Sequence, residues 1–149
     1  MANLTAEKIR VYLADHPTVD VTLPLKAGVT VYAGGYCELS GGCVDVLATT
    51  GTFAGIALET KTGPSGTDGQ ETCRVRIMGA LEIGIADPIA ITSVASANSI
   101  EAEDSDTLRL ETGTSITGTT VGKLMRVVTA GSSGANKAVV AFKATALLP

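Results

Sequence analysis

The sequence predicts an all-β fold, a small barrel or sandwich with an extended N-terminal arm and long Gly/Ser/Thr-rich loops. Short segments rich in Val, Ile and Thr alternate apolar and polar residues, which is the period of a half-buried strand. Clusters of Gly, Ser, Thr and Pro interrupt them at the short spacing typical of sandwiches and barrels. Aromatic residues make up only 3% of a chain that is 45% hydrophobic. The core is therefore expected to consist of Val, Ile, Leu and Ala.

The first 18 residues differ from the rest of the chain. Thr5 could cap a short helix over residues 6–14, but Val11 and Tyr12 also suit a strand, and both alternatives stay open. Pro17 ends either element. Because a chain of 149 residues most simply forms one domain, we expect an N-terminal arm, 1–18, followed by one β-domain, 19–149.

The β-domain begins with a strand at residues 19–25, in which apolar and polar residues alternate. Pro24 cannot donate a hydrogen bond to a neighbouring strand, so this strand is predicted to lie at an edge of the sheet. The residues expected on its core face are Val19, Val21, Leu23 and Leu25.

Turn signals divide the next part of the chain into short strands. Gly55 lies inside one of them and indicates a bulge or a close backbone contact. Residues 60–70 form a polar loop that is expected to project from the body, because a buried loop could not satisfy its backbone. The predicted strands of this part are 29–32, 36–39, 44–47 and 53–59.

The second half contains the clearest strand, residues 71–78, with Cys73, Val75 and Ile77 facing the core. Gly79 is predicted to end it. The terminal hairpin carries apolar residues on both faces of both arms, so it is predicted to be central or covered. The other segments are strands at 81–85 and 108–110, a brief pairing at 89–91, an acidic stretch within 92–106, a loop at 112–120, and hairpin arms at 121–129 and 137–145.

The composition argues against several classes of function. The net charge is −4 with scattered Lys and Arg, which disfavours direct nucleic-acid binding. No apolar stretch approaches the roughly 20 residues of a membrane span, and the N-terminus is too polar for a signal peptide, so we expect synthesis in the cytoplasm. Cys37, Cys43 and Cys73 are expected to be small buried thiols, although Cys37 and Cys43 flank a Gly-Gly turn and could approach each other.

No catalytic, cofactor-binding or metal-ligating residue is predicted. His16 is the only imidazole and has no nucleophile motif, so it is interpreted as a solvated arm residue. The densest charges lack the spacing of an EF-hand loop and are interpreted as a solvated loop, with pairing to a neighbouring subunit as the functional alternative. These charges are Glu101, Glu103, Asp104 and Asp106.

Two further features have a structural and a functional interpretation. Gly34-Gly35 and Gly41-Gly42 lack the context of a phosphate-binding loop and are interpreted as turn glycines with positive φ. Arg74 and Arg76 lie on the outward face of their strand. They form either a solvated face or salt bridges to an acidic partner.

The order of four segments resembles the small β-rich capsid decoration (cement) proteins of tailed bacteriophages. The segments are KAGVTVYAG at 26–34, GTFAGIA at 51–57, VRIMGAL at 75–81 and VGKL at 121–124, and the terminal hairpin follows them. The resemblance covers about residues 20–145. The acidic stretch and the 112–120 loop have no counterpart in that pattern.

The resemblance implies a non-enzymatic protein of the virion. Such proteins bind the outer surface of the mature capsid, usually as homotrimers, bridge major capsid protein subunits and stabilise the shell against internal DNA pressure. Their N-terminal arm commonly reaches onto the capsid or an adjacent decoration subunit. The alternatives are another virion β-module (tail-tube, head-completion or fibre-associated) or a small hydrolase or carbohydrate-binding domain; few aromatics argue against sugar stacking.

Overall fold

The computed structural model describes residues 3–48, 51–90, 99–110 and 119–148. These residues form strands and turns without a helix, and the all-β prediction is confirmed. In the described ranges the strands are β1 (Val11–Tyr12), β2 (Val19–Pro24), β3 (Thr30–Val31), β4 (Tyr36–Ser40), β5 (Cys43–Val46), β6 (Phe53–Ala57), β7 (Lys61–Thr62), β8 (Thr72–Ile83), β9 (Ser99–Ala102), β10 (Leu108–Leu110), β11 (Thr119–Thr129) and β12 (Lys137–Lys143).

Strand β8 organises the fold because its 12 residues serve two groups of strands. Strands β2 and β12 both pair with Met78, so they lie on opposite edges of β8. By the same argument, β1 lies on the same edge of β8 as β2, and β6 lies on the same edge of β8 as β12. The antiparallel sheet curls into a half-barrel.

The sheet order is β10-β9-β11-β12-β8-β6-β4-β5, and β3 and β7 form a separate two-stranded ribbon. The terminal hairpin, β11–β12, lies between β9 and β8, so the prediction that it is central is confirmed. A bridge from Leu25 to Val44 brings the end of β2 against β5. Apart from that bridge, β2 pairs with β8 alone within the described part of the chain, as Pro24 predicted.

Two clusters of buried side chains form the core, and they take adjacent, oppositely directed residues of β4 and β6. The larger cluster lies under β8–β12 and contains Phe53, Leu81 and Phe142, with Tyr12 of β1 packed against it. The smaller cluster lies under β2, β4–β6 and the first half of β8, and it contains Val75 and Cys73. Both are built almost wholly of aliphatic residues, as the low aromatic content predicted.

Gly79 does not end β8, contrary to the sequence prediction. It pairs with Phe142 of β12, and a Cβ at this position would lie 3.2 Å from the Phe142 ring. The glycine leaves room for that ring while the strand continues to Ile83. Gly55 behaves as predicted, since it lies at a register shift between β4 and β6 and has φ of +126°.

Other segments differ in detail from the prediction. The acidic stretch contributes a strand, β9, and the polar loop 60–70 contributes β7, whose partner β3 holds it against the body. Val19 lies beyond a register shift between β2 and β8 and is 36% exposed rather than part of the core. Ile89 pairs with Gly131, whereas Ile91 and most of the 112–120 loop lie outside the described residues.

Candidate interaction surface

The N-terminal segment lies in an extended conformation on the body, and Val11–Tyr12 form β1 rather than part of a helix. The amide of Lys8 donates to the carbonyl of Ala33 at 2.9 Å, and the amide of Leu13 donates to that of Ala80. Extended backbone makes residues 8, 10 and 12 face the body and residues 7, 9 and 11 face away. The strand alternative is therefore the correct one for this segment.

An ionic latch holds this segment, and we define it as Lys8, Arg10 and Asp106. Lys8 Nζ lies 2.8 Å from Asp106 Oδ1, and Arg10 Nη2 lies 2.9 Å from the same oxygen. The Arg10 side chain is only 3% exposed and its guanidinium stacks 4.8 Å from the Tyr36 ring centre. Burial opposes ionisation of Asp106, but the hydrogen bonds from Lys8 and Arg10 outweigh it and lower the pKa of Asp106.

Gly34 provides the backbone contact against which the latch packs. Its carbonyl accepts a 2.7 Å hydrogen bond from Arg10 Nε, and its φ is +89°. A Cβ at this position would lie 2.0 Å from the carbonyl oxygen of Lys8. The turn-glycine interpretation therefore holds, and the missing side chain also lets the N-terminal segment approach. Gly41 and Gly42 also have positive φ, whereas Gly35 does not.

The acidic residues are not a solvated loop, and that interpretation is wrong for all four. Glu101 and Asp104 are buried, and Asp104 accepts bonds from the amides of Asp106 and Thr107. Glu103 Oε2 lies 2.6 Å from Arg109 Nε. Turn capping compensates Asp104, and cations of the same chain compensate Glu103 and Asp106, which composition could not reveal. Within the described ranges, no group of His, Cys, Asp and Glu is arranged to hold a metal ion.

The two candidate arginines have different roles. Arg76 forms a bidentate pair with Asp20, at 2.7 and 3.0 Å, and its guanidinium lies 4.5 Å from the Tyr12 ring centre. Hydrogen bonding to Arg76 lowers the pKa of Asp20. Arg76 thus links β8, β2 and β1 inside one chain, while Arg74 is exposed as predicted for a solvated face.

All three cysteines are free and buried, as the sequence predicted. Cys37 pairs across β4–β5 with Val46, and Cys43 pairs with Ser40, so the hairpin register does not place the two thiols opposite each other. Burial raises the pKa of Cys37 strongly, and it raises the pKa of Cys73 to about 11. Such thiols are poor nucleophiles at neutral pH.

His16 is half-buried rather than solvated, contrary to the prediction. Its Nδ1 has no hydrogen-bond partner among the described residues and lies 3.6 Å from Asp15 Oδ1. The imidazole borders an open groove of about 490 Å³, together with Pro17. The sequence analysis missed this groove. Its lining includes the small residues Gly79, Gly122 and Ala141, and no local sequence pattern marked it.

The groove lies on the sheet face that points away from the larger core, which we call the outer face. Ala141 pairs with Lys123 and with Ala80, and Lys143 pairs with Met78, so these side chains share that face. Besides His16, Pro17 and the small residues named above, the groove is lined by Met78, Ser99, Thr120, Val121, Lys123, Met125, Phe142, Lys143 and Thr145. This mainly apolar surface is suited to packing against another protein.

No protein-family model matches the chain, and no curated protein matches it. In the described ranges, no helix is long and apolar enough to cross a membrane. Two solved structures are similar to it, and both come from bacteriophage particles, as the sequence resemblance predicted. A chain of the head fiber gp8.5 N base of bacteriophage phi29 has a TM-score of 0.48 and 13% identity, over 84% of this chain and 95% of that chain.

The second structure is a chain in the capsid of Myoviridae phage XM1. It is 16% identical to this chain with a TM-score of 0.50, and the match covers 96% of this chain and 92% of that chain. At this identity the likeness concerns the fold. The protein therefore shares an all-β fold with a chain of a phage capsid over nearly its whole length.

Proposed function

We propose that this chain is a non-enzymatic structural protein of a phage head, a decoration protein that binds the outer surface of the mature capsid. The observation that carries the proposal is the likeness to the XM1 capsid chain over 96% of this chain. The ordered resemblance of residues 20–145 to decoration proteins supports the same function. A comparison of sequence order and a comparison of fold thus both support a place in the phage head.

The proposed action is to bridge neighbouring major capsid protein subunits as a homotrimer and so to stabilise the shell against internal DNA pressure. A trimer that contacts several subunits at once gains affinity by avidity, without a large contact for each copy. This suits a chain with few aromatic residues, since large aromatic anchors dominate compact interfaces. The protein would then reside on the outside of the virion.

Two surfaces are available for such contacts. Strand β2 has one long partner, β8, among the described strands, so much of its other edge can accept an added strand. The outer face offers an apolar groove. We further propose that residues 1–18 are an arm appended to a domain of residues 19–149, because polar latch contacts contribute much of their attachment.

The non-enzymatic part of the proposal is supported by where the polar groups lie. Glu103, Asp106 and Arg76 form ion pairs within the chain. The three thiols are buried, and those of Cys37 and Cys73 have raised pKa values. Among the described residues, these charged groups thus pair with one another and these thiols lie buried in the fold.

The test uses expanded heads purified from phage particles that lack this protein. Purified protein is added, and binding is measured by co-sedimentation and by cryo-electron microscopy. The heat resistance of the heads is measured by release of their DNA. We expect saturable binding on the outer shell and a higher release temperature, with serum albumin as the control for binding.

Failure to bind the heads, together with an unchanged release temperature, would refute the proposal. Density at the tail or at the head–tail junction would instead favour another virion β-module. Turnover of a substrate that one substitution abolishes would return the protein to the hydrolase alternative.

A further inference from the structure

The N-terminal segment has an apolar outward side, and we call Glu7, Ile9 and Val11 the strip. Ile9 is 94% exposed and Val11 is 59% exposed, the two highest values among the large hydrophobic residues described as exposed. Their neighbours Lys8 and Arg10 face the body and form the latch. The latch therefore keeps the apolar side chains of the strip exposed to solvent. This exposure is unfavourable in free energy for an isolated protein unless another surface covers it.

The strip and the groove belong to the same side of the sheet. Val11 pairs with Glu82, which is separated from Ala80 and Met78 by steps of two residues along β8. Directly opposed residues and alternate residues of a strand share a face, so Val11 lies on the outer face. Val19 pairs with Met78 and joins this face as well. Val11, Val19 and the groove thus lie on the same face of the sheet.

The charges of the two features are complementary. Among the described residues, the groove is lined by Lys123 and Lys143 and by no carboxylate, in a chain whose net charge is −4. The strip carries the carboxylate of Glu7 and two aliphatic side chains. An extended segment with this pattern fits an apolar groove with a cationic border. The groove cannot be filled by the strip of its own chain, because the latch fixes that segment along the far edge of β8.

We propose that the strip of one copy of this protein docks in the groove of a second copy. The contact joins two different surface patches, so repetition around a symmetry axis can close a ring. The inference deepens the homotrimer part of the proposed function by naming the surfaces that meet. It concerns association in solution, and it stands or falls without any capsid.

The test compares three charge substitutions by sedimentation velocity across a range of protein concentrations. Ile9→Asp places a carboxylate in the strip, and Met125→Asp places one in the groove. Val128→Asp is the matched control, since Val128 lies on the same strand as Met125 and is equally exposed, at 45% against 44%, but does not line the groove. Circular dichroism and thermal unfolding confirm that each variant is folded.

We expect the wild-type protein and Val128→Asp to form the same oligomer. Ile9→Asp and Met125→Asp should raise the dissociation constant at least about tenfold, because an unpaired carboxylate in an apolar contact is unfavourable. An equimolar mixture of these two variants should contain a dimer that neither forms alone, since one intact strip then meets one intact groove. Glu7→Lys should weaken association, and Lys123→Glu in the same chain should restore it.

A monomeric wild-type protein would overturn the inference, and so would unchanged association of Ile9→Asp or Met125→Asp or the absence of a dimer in the mixture. The outcome is separate from that of the capsid experiment. Association in solution without binding to heads would refute the proposed function alone. Binding to heads by a monomer would refute this inference alone.

Discussion

Replacement of Gly34 by Ala is the most direct probe of how the N-terminal segment is attached. The added Cβ would lie 2.0 Å from the carbonyl oxygen of Lys8, far inside van der Waals contact. The clash is with backbone, so rotation of a side chain cannot relieve it. Either the segment moves away from the turn at 33–35 or the turn itself is distorted.

The magnitude follows from two contributions. A φ of +89° is unfavourable for Ala by about 1–2 kcal/mol. Displacement of the segment also breaks the bond from the Lys8 amide to Ala33 and the charged bond from Arg10 Nε to the Gly34 carbonyl. Together these two bonds contribute about 2–4 kcal/mol. Gly34→Ala should therefore lower the free energy of unfolding by about 3–6 kcal/mol.

Gly41→Ala is the matched control, because Gly41 has φ of +60° but no atom within 4 Å of the added Cβ. It should cost only the backbone contribution of about 1–2 kcal/mol in urea unfolding. Limited trypsin digestion followed by mass spectrometry provides the second assay, since trypsin cleaves after Lys8 and Arg10. Cleavage at these sites should accelerate at least about tenfold in Gly34→Ala and remain slow in Gly41→Ala. The reasoning would be refuted if the two variants were equally destabilised and trypsin cleaved after Arg10 at the same rate in both.

Three further predictions concern the latch, a buried amide and the arm. The pKa of Asp106 is lowered in the folded protein, so its stabilising contribution is present above its unfolded pKa of about 3.9 and is lost as the pH falls through the folded value. Asp106→Asn should therefore remove this part of the pH dependence of the free energy of unfolding, measured in urea. The Asn136 side-chain nitrogen lies within hydrogen-bond distance of four carbonyl oxygens, which share its two N–H groups, and its Oδ1 accepts from the amide of Ile85. Asn136→Ala should therefore lower stability by about 3 kcal/mol or more, whereas exposed Ser133→Ala should change it by less than about 0.5 kcal/mol. Deletion of residues 1–18 should lower the melting temperature yet leave the far-ultraviolet spectrum of a β-domain and weaken capsid binding; loss of that spectrum would place the segment in the core.

The local pattern of apolar residues was sufficient to predict most strands. Alternation at Cys73, Val75 and Ile77 predicted the core face of β8, and Pro24 predicted an edge. The predictions that failed concern residues whose conformation depends on a distant neighbour. Gly79 was predicted to end a strand, but Phe142 from a segment over 60 residues away occupies the space that the glycine leaves. The register shift at Val19 has the same origin, since pairing with β8 sets it.

By itself, the sequence determined the all-β class, the positions of the main strands, the buried thiols and the likeness to proteins of phage heads. These properties depend on short-range alternation and on turn residues, which the order of residues records directly. Only the tertiary structure decided that Asp106 pairs with Lys8 and Arg10, that Arg76 joins three strands, and that a groove lies on the outer face. The charges that pair in the latch lie nearly 100 residues apart in the chain. The groove is a space between strands whose curl depends on long-range pairing. No local sequence pattern could therefore reveal either the ion pairs or the groove.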